Sequence, residues 1–313
     1  MREIRKIRSL LGKHVKDQSG AEGMHSFSAF ARKEIGLAVE NTAKNYQTAV
    51  RKFEEYMKND DIRVEDMDAS QVYGFQRWLL DQGLSRNTSS CYMRSLRTIY
   101  RRAIEEYGLE RVAEPFRRVT TTVQKTRKRS IKKTDLRRLM ELELGDEPHL
   151  ALARDIFLFS FYAMGIAFID VVNLKKENVV AGHIEYRRHK TGLLVRVKIE
   201  PCMQVIMRKY RQRKSDFLFP ILHNSSYTSQ LRLYNYRLSR LSALARLSTP
   251  ITSYVARHTW ASMAYNKNVE LSVISRGMGH NNPETTLIYI RGINDCKLEK
   301  ANRGIIESVR YEQ

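Results

Sequence analysis

The chain has 313 residues, with 55 Lys and Arg against 34 Asp and Glu, a formal net charge of +21. With 42% hydrophobic and 28% charged residues it has the composition of a folded protein, which excludes wholesale disorder and allows one or two domains with a real core. A positive excess of this size calls for a polyanionic partner, nucleic acid foremost.

Residues 1–24 begin Met1-Arg2-Glu3-Ile4-Arg5-Lys6, without the apolar stretch of a signal peptide, and read as a basic N-terminal arm. From Ser26 the pattern turns helical. Tyr46, Val50, Phe53 and Met57 recur at helical spacing after a cap expected at Asn41 or Thr42. Val72, Phe75, Trp78 and Leu79 mark a second helix stopped by Gly83. A third starts near Asn87 and buries Tyr92, Leu96, Ile99, Ala103 and Tyr107 before Gly108. On its other flank Arg94, Arg97 and Arg101 form a stripe with no acid until Glu105, a candidate phosphate contact as well as a solvated face. Residues 25–112 therefore read as a helical DNA-binding module. Residues 113–133 read as a basic interdomain linker. Ten Lys and Arg stand against one acid between Arg117 and Arg138, with Lys125, Arg127, Lys128 and Arg129 as candidate DNA contacts.

Residues 134–313 form the second domain, with an N-cap expected at Thr134 and an amphipathic helix carrying Leu136, Leu139 and Met140. The longest uncharged apolar run, residues 156–169, is too short to span a bilayer and suits a buried central helix. The pattern then alternates in Val195-Arg196-Val197-Lys198-Ile199. Ile184-Glu185-Tyr186 precedes it across Lys190-Thr191-Gly192, which predicts a hairpin. Helical patterns return at residues 203–210 and continue to the end. Cys91, Cys202 and Cys296 are far apart and odd in number, which argues against a disulfide framework or zinc site and for a reducing cytoplasm.

The sequence has no phosphate-cradling Gly-x-x-x-x-Gly-Lys-[Ser/Thr], no His-Glu-x-x-His and no local carboxylate pair beside a strand. A DNA-cutting enzyme built from these residues uses no metal or cofactor. It stabilises a phosphoryl transition state with cationic side chains, because that chemistry is mostly positioning and charge.

The C-terminal third supplies such parts in order: Tyr254-Val255-Ala256-Arg257-His258-Thr259-Trp260, then Met278-Gly279-His280 with Tyr289 nine residues past the histidine. These stretches resemble the tyrosine recombinases, or phage-type integrases. Arg257-His258-Thr259-Trp260 is similar to their Arg-His-Thr-Phe box, and Gly279-His280 followed by Tyr289 to their C-terminal signature. Lys190 before Thr191-Gly192 is similar to their lysine turn, and residues 165–174 to their first box. The resemblance spans about residues 26–300. It implies a mainly α protein: a helical core-binding domain plus a mixed α+β catalytic domain with a small antiparallel sheet.

By that resemblance Tyr289 is the nucleophile that forms a 3′-phosphotyrosyl link, and Arg257 neutralises the phosphate oxygens. His280 binds the same phosphate or assists proton transfer, and Lys190 protonates the leaving 5′-oxygen. His258 braces the site. Two departures stand out. The His expected three residues before Arg257 is Tyr254, a phenol that can still donate. The Arg expected in the first box maps to Ala167, or in a mobile-element subgroup to Met164, and neither is charged. Arg276, one helical turn before His280, is the first candidate substitute. Arg187 or Arg188 on the hairpin and a degraded site are the others.

The implied activity is site-specific recombination of double-stranded DNA by integration, excision or inversion. A homotetramer would act on two sites, the free chain being a monomer or weak oligomer, with room for accessory DNA-bending proteins and no membrane partner. The segment after Tyr289, with Ile293, Leu298, Ile305, Ile306 and Val309, would dock on a neighbouring protomer. The missing first-box Arg leaves a non-catalytic or weakly active DNA-binding regulator as the alternative, and type IB topoisomerase-like relaxation as a third.

Overall fold

A computed structural model describes residues 25–109, 114–124, 130–220, 225–287, 302–303 and 305–307. The chain divides into two compact units, with the boundary between Thr126 and Arg127.

The first unit is built from α1 (Phe27–Leu37), α2 (Glu40–Met57), α3 (Ala69–Asp81) and α4 (Arg86–Tyr107). Three of these helices start on side-chain caps. Ser26 Oγ accepts from Ala29, Ser85 Oγ from Thr88, and Asp68 forms a full capping box with Gln71. The exception is α2, which starts at Glu40 behind an uncapped Val39 rather than at Asn41 or Thr42. Glu40 compensates, because its charge suits the helix N-terminus and it pairs with Lys44 one turn on. Phe27, Phe53, Phe75, Leu79, Met93, Leu96 and Ile99 are fully buried in one core, whereas Tyr92 and Tyr107 pack at its edge.

Residues 114–124, expected as linker, are fastened to this unit. Phe116 is buried against Tyr100. Gln76 reads both backbone groups of Thr120 (2.9 and 3.0 Å), and Asn87 does the same to Gln124 (3.0 and 2.7 Å). Each side-chain amide mimics one rung of a β-ladder and satisfies an otherwise unpaired backbone. Lys125, Arg127, Lys128 and Arg129 lie outside the described residues, as does the N-terminal arm. On the far side Ser130 and Ile131 are already buried in the second unit, where Ile131 N–H donates to Thr259 Oγ1.

The second unit comprises α5 (Lys133–Glu141), α6 (Pro148–Tyr162), α7 (Phe168–Val172), β1 (Val179–Val180), β2 (His183–Arg187), β3 (Leu194–Lys198), α8 (Pro201–Tyr210), α9 (Tyr227–Leu244), α10 (Val255–Asn266), α11 (Leu271–Gly277) and α12 (Glu284–Leu287). It is mainly helical, with one antiparallel sheet ordered β1-β2-β3. The N-cap of α5 is Lys132, not Thr134, so that threonine lies inside the helix, and Met140 faces solvent. The apolar α6 is the central post, packed against α8, α9 and α10, with Ile156, Phe157 and Phe159 buried on different faces. It stops at Tyr162, well before the apolar run ends. Met164 (φ 56°) and Gly165 (φ 75°) turn the chain through the left-handed region there. In the sheet Ile184 pairs with Val197 and Tyr186 with Val195, and these four side chains are buried.

Candidate active site

The site forms where four segments of the second unit meet: the turn after α6, the start of α10, the loop after α11 and the β2–β3 turn. Arg257, on the first turn of α10, is 1% exposed. Its Nη1 donates to Gly165 O (2.7 Å), and its Nη2 to Met278 O (2.5 Å) and to His280 Nε2 (2.9 Å). The two motifs that are 23 residues apart in sequence therefore meet through one guanidinium. Gly165 makes this possible. A Cβ there would lie 2.7 Å from Arg257 Cα, and φ of 75° strains any L side chain.

A guanidinium only donates, so His280 Nε2 is the acceptor and the ring proton resides on Nδ1, which donates to Thr286 Oγ1 at 2.8 Å. Thr286, fully buried on α12, thus fixes the tautomer. Burial, then the charges of Arg257, Arg188 and Lys190, push His280 down to about 3, so the imidazole is neutral near pH 7. The unfolded chain takes up a proton near 6.5 that the native chain refuses. This contribution to stability is full above about 6.5 and is lost as pH falls toward about 3. The urea midpoint of the wild type should therefore drop more between pH 7.5 and 5 than that of His280→Asn. Parallel pH profiles would contradict a neutral buried histidine.

The β2–β3 turn closes on the same loop. Thr191 Oγ1 and Arg188 Nη1 both donate to Gly279 O, at 3.1 and 2.8 Å. Gly279 has φ of 63°, and a Cβ on it would come 2.7 Å from Val195 and 3.1 Å from Arg188 Cδ, so only glycine lets the turn approach. Asp170 on α7 holds the turn from behind, its carboxylate accepting from His189 N–H at 2.8 Å. Burial pushes the Asp170 carboxyl up, against the pull of that bond and of Arg188 and Arg257. Lys190 projects from this turn into solvent, close enough for its charge to bear on His280.

Of the residues expected at the site, Arg257 and His280 are in direct contact, and Lys190 sits on the adjoining turn. Tyr254 is exposed just before α10, its ring edge-on to His258 at 5.7 Å. Tyr289 lies outside the described residues, as do Ile293, Leu298 and Val309. Arg276 does not fit its expected role. Convergence with His280 required the helix to run to Gly279, but α11 ends at Gly277, leaving Arg276 exposed and His280 buried. The hairpin arginines also separate: Arg187 is exposed and donates to Gly192 O, whereas Arg188 is 4% exposed and points inward. Thr286, Asp170 and Thr191 are the parts that motif reading did not single out. In the first unit Arg94 donates to Thr121 O (2.8 Å), while Arg97 and Arg101 line a concavity with Glu105, Glu114 and Arg117.

Comparison with known proteins places both units. Residues 24–119 match the Phage integrase SAM-like domain, and residues 129–294, more than half of the chain, match the Phage integrase family. The tyrosine recombinase XerD of Shewanella oneidensis is 21% identical over 262 residues, 80% of this chain and 85% of the relative. Among solved structures, the Tn1549 transposon integrase in complex with transposon right end DNA has a TM-score of 0.69 at 14% identity, covering 89% of this chain and 99% of that one. A lambda integrase tetramer bound to a Holliday junction has a TM-score of 0.66 at 12% identity, covering 92% of this chain and 86% of that one. At these identities the two structures establish a shared fold.

Proposed function

The chain belongs to the phage integrase family, and from that premise we propose that it is a site-specific DNA recombinase that cuts and rejoins DNA through Tyr289. The observation that carries this reading is the Arg257–His280 contact at 2.9 Å, flanked by the Arg188–Lys190 turn, with Tyr289 nine residues beyond His280 in sequence. Arg257 and Arg188 gather buried positive charge here, with Lys190 exposed beside them and a single buried carboxylate, Asp170, among the described residues around them. Such a cluster favours an anion of phosphate type. When a phosphate docks, its oxygen replaces His280 Nε2 as an acceptor for Arg257. The Tyr289 hydroxyl then attacks phosphorus, a P–Oη bond forms and the P–O5′ bond breaks. The freed Nε2 lone pair of His280 takes the phenolic proton, and Lys190 supplies one to the departing 5′-oxygen. The reverse attack by a 5′-hydroxyl from another strand breaks P–Oη and restores a phosphodiester, so no external energy source is used.

Four protomers acting on two duplexes account for strand exchange. The first unit, residues 114–124 included, grips the duplex through Arg94, Arg97 and Arg101, and Lys125, Arg127, Lys128 and Arg129 at the boundary of the two units add phosphate contacts. No helix among the described residues is long and apolar enough to cross a membrane. Two results are expected with a nicked suicide duplex, chosen from a randomised library by binding to the chain. Covalent adduct should form undiminished in EDTA, because cationic side chains meet the phosphate charge. Binding should weaken with salt at a log–log slope of about −0.9 per phosphate neutralised. A strict Mg²⁺ requirement for cleavage would contradict the mechanism.

A further inference from the structure

We propose that Arg188 is a catalytic residue: with Arg257, its guanidinium donates to the non-bridging oxygens of the scissile phosphate. This rests on the recombinase reading above and fills the gap left by uncharged Ala167 and Met164 in the first box. Three observations carry it.

Arg188 is 4% exposed, and its hydrogen bond among the described residues is Nη1 to Gly279 O at 2.8 Å. Its Nε is buried with no hydrogen-bond partner among the described residues. An unpaired donor on a buried charged group is disfavoured, so its retention points to an acceptor that arrives with a ligand. Second, Arg257 Nη2 binds the carbonyl of Met278 and Arg188 Nη1 that of Gly279, so the two guanidinium groups grip consecutive peptides directly before His280. Third, the arginine is locked in place from two sides. Asp170 anchors the next residue through His189 N–H, and Thr191 binds the same Gly279 carbonyl. The exposed neighbour Arg187 has no such frame.

A pentavalent phosphorus carries its developing charge on the non-bridging oxygens, and one guanidinium leaves that charge incompletely matched. The test measures adduct formation on the selected nicked duplex by wild type, Arg188→Ala, Arg188→Lys and Arg276→Ala, with melting temperature and DNA binding followed alongside. Arg188→Ala should lose about 100-fold in cleavage rate, Arg188→Lys less, and Arg276→Ala little, with binding held within a few-fold. The same series is then run on a duplex whose scissile phosphate bears a methyl in place of one non-bridging oxygen. That substrate has lost the charge that Arg188 serves, so the gap between Arg188→Ala and wild type should close to a few-fold. An unchanged rate in Arg188→Ala, or an equal deficit on both substrates, overturns the proposal and leaves Arg188 as scaffold. Absence of any adduct from the wild type overturns the strand-transfer reading itself.

Discussion

Tyr289→Phe should reduce covalent adduct by on the order of 10⁴-fold or more while leaving specific DNA binding within a few-fold. The asymmetry follows from the chemistry. Attack needs one oxygen in line with the departing 5′-oxygen, whereas binding sums many phosphate contacts to which a single hydroxyl adds little. The measurement is adduct on denaturing gels beside a binding isotherm at one salt concentration. Wild-type cleavage by the Phe variant would remove Tyr289 from the mechanism.

Arg257 carries the second large effect, because it serves stability and chemistry together. Arg257→Ala strips a donor from the carbonyls of Gly165 and Met278 and from His280 Nε2, three buried acceptors, and leaves a void behind them. Unsatisfied buried acceptors cost about 1–3 kcal/mol each, so a loss of roughly 3–5 kcal/mol is expected in urea unfolding. Adduct should fall below detection. Arg257→Lys separates the two roles: it keeps the charge but cannot span Gly165 O and Met278 O as a planar fork. It should fold with a smaller stability loss and still cleave at least about 100-fold more slowly. Near wild-type cleavage by Arg257→Lys would mean that the fork geometry plays no part in the reaction.

How far the sequence alone leads can be judged at particular residues. The hydrophobic period found the three longer helices of the first unit and the central α6, because burial along one face or all round leaves a direct mark on composition. It could not find where α6 stops, since residues 163–169 stay apolar while Met164 and Gly165 reverse the chain. Nothing in the hydrophobic period marks Gln76 or Asn87, and only the fold reveals that they hold Thr120 and Gln124, within the stretch expected as linker, to the first unit.

In the site, the family resemblance brought Arg257 and His280 forward together, and the fold puts the two side chains in contact. The helical spacing that suggested Arg276 carries no meaning past the last helical residue, Gly277. A usable signal for Arg188 was present. In β2 the even-numbered Ile184 and Tyr186 point inward, and one more step of that alternation turns Arg188 inward and Arg187 outward. Thr286 left no such trace, since its contact with His280 depends on the turn between them.

The central claim, a covalent link from DNA to Tyr289, is tested most directly by mapping the adduct. After trapping on the nicked duplex, nuclease and trypsin should leave a nucleotide on the peptide covering residues 277–291, in which Tyr289 is the only tyrosine. Mass spectrometry should find the added phosphate on that residue. A nucleotide carried by any other peptide, or no modified peptide from a cleaved substrate, would contradict the account.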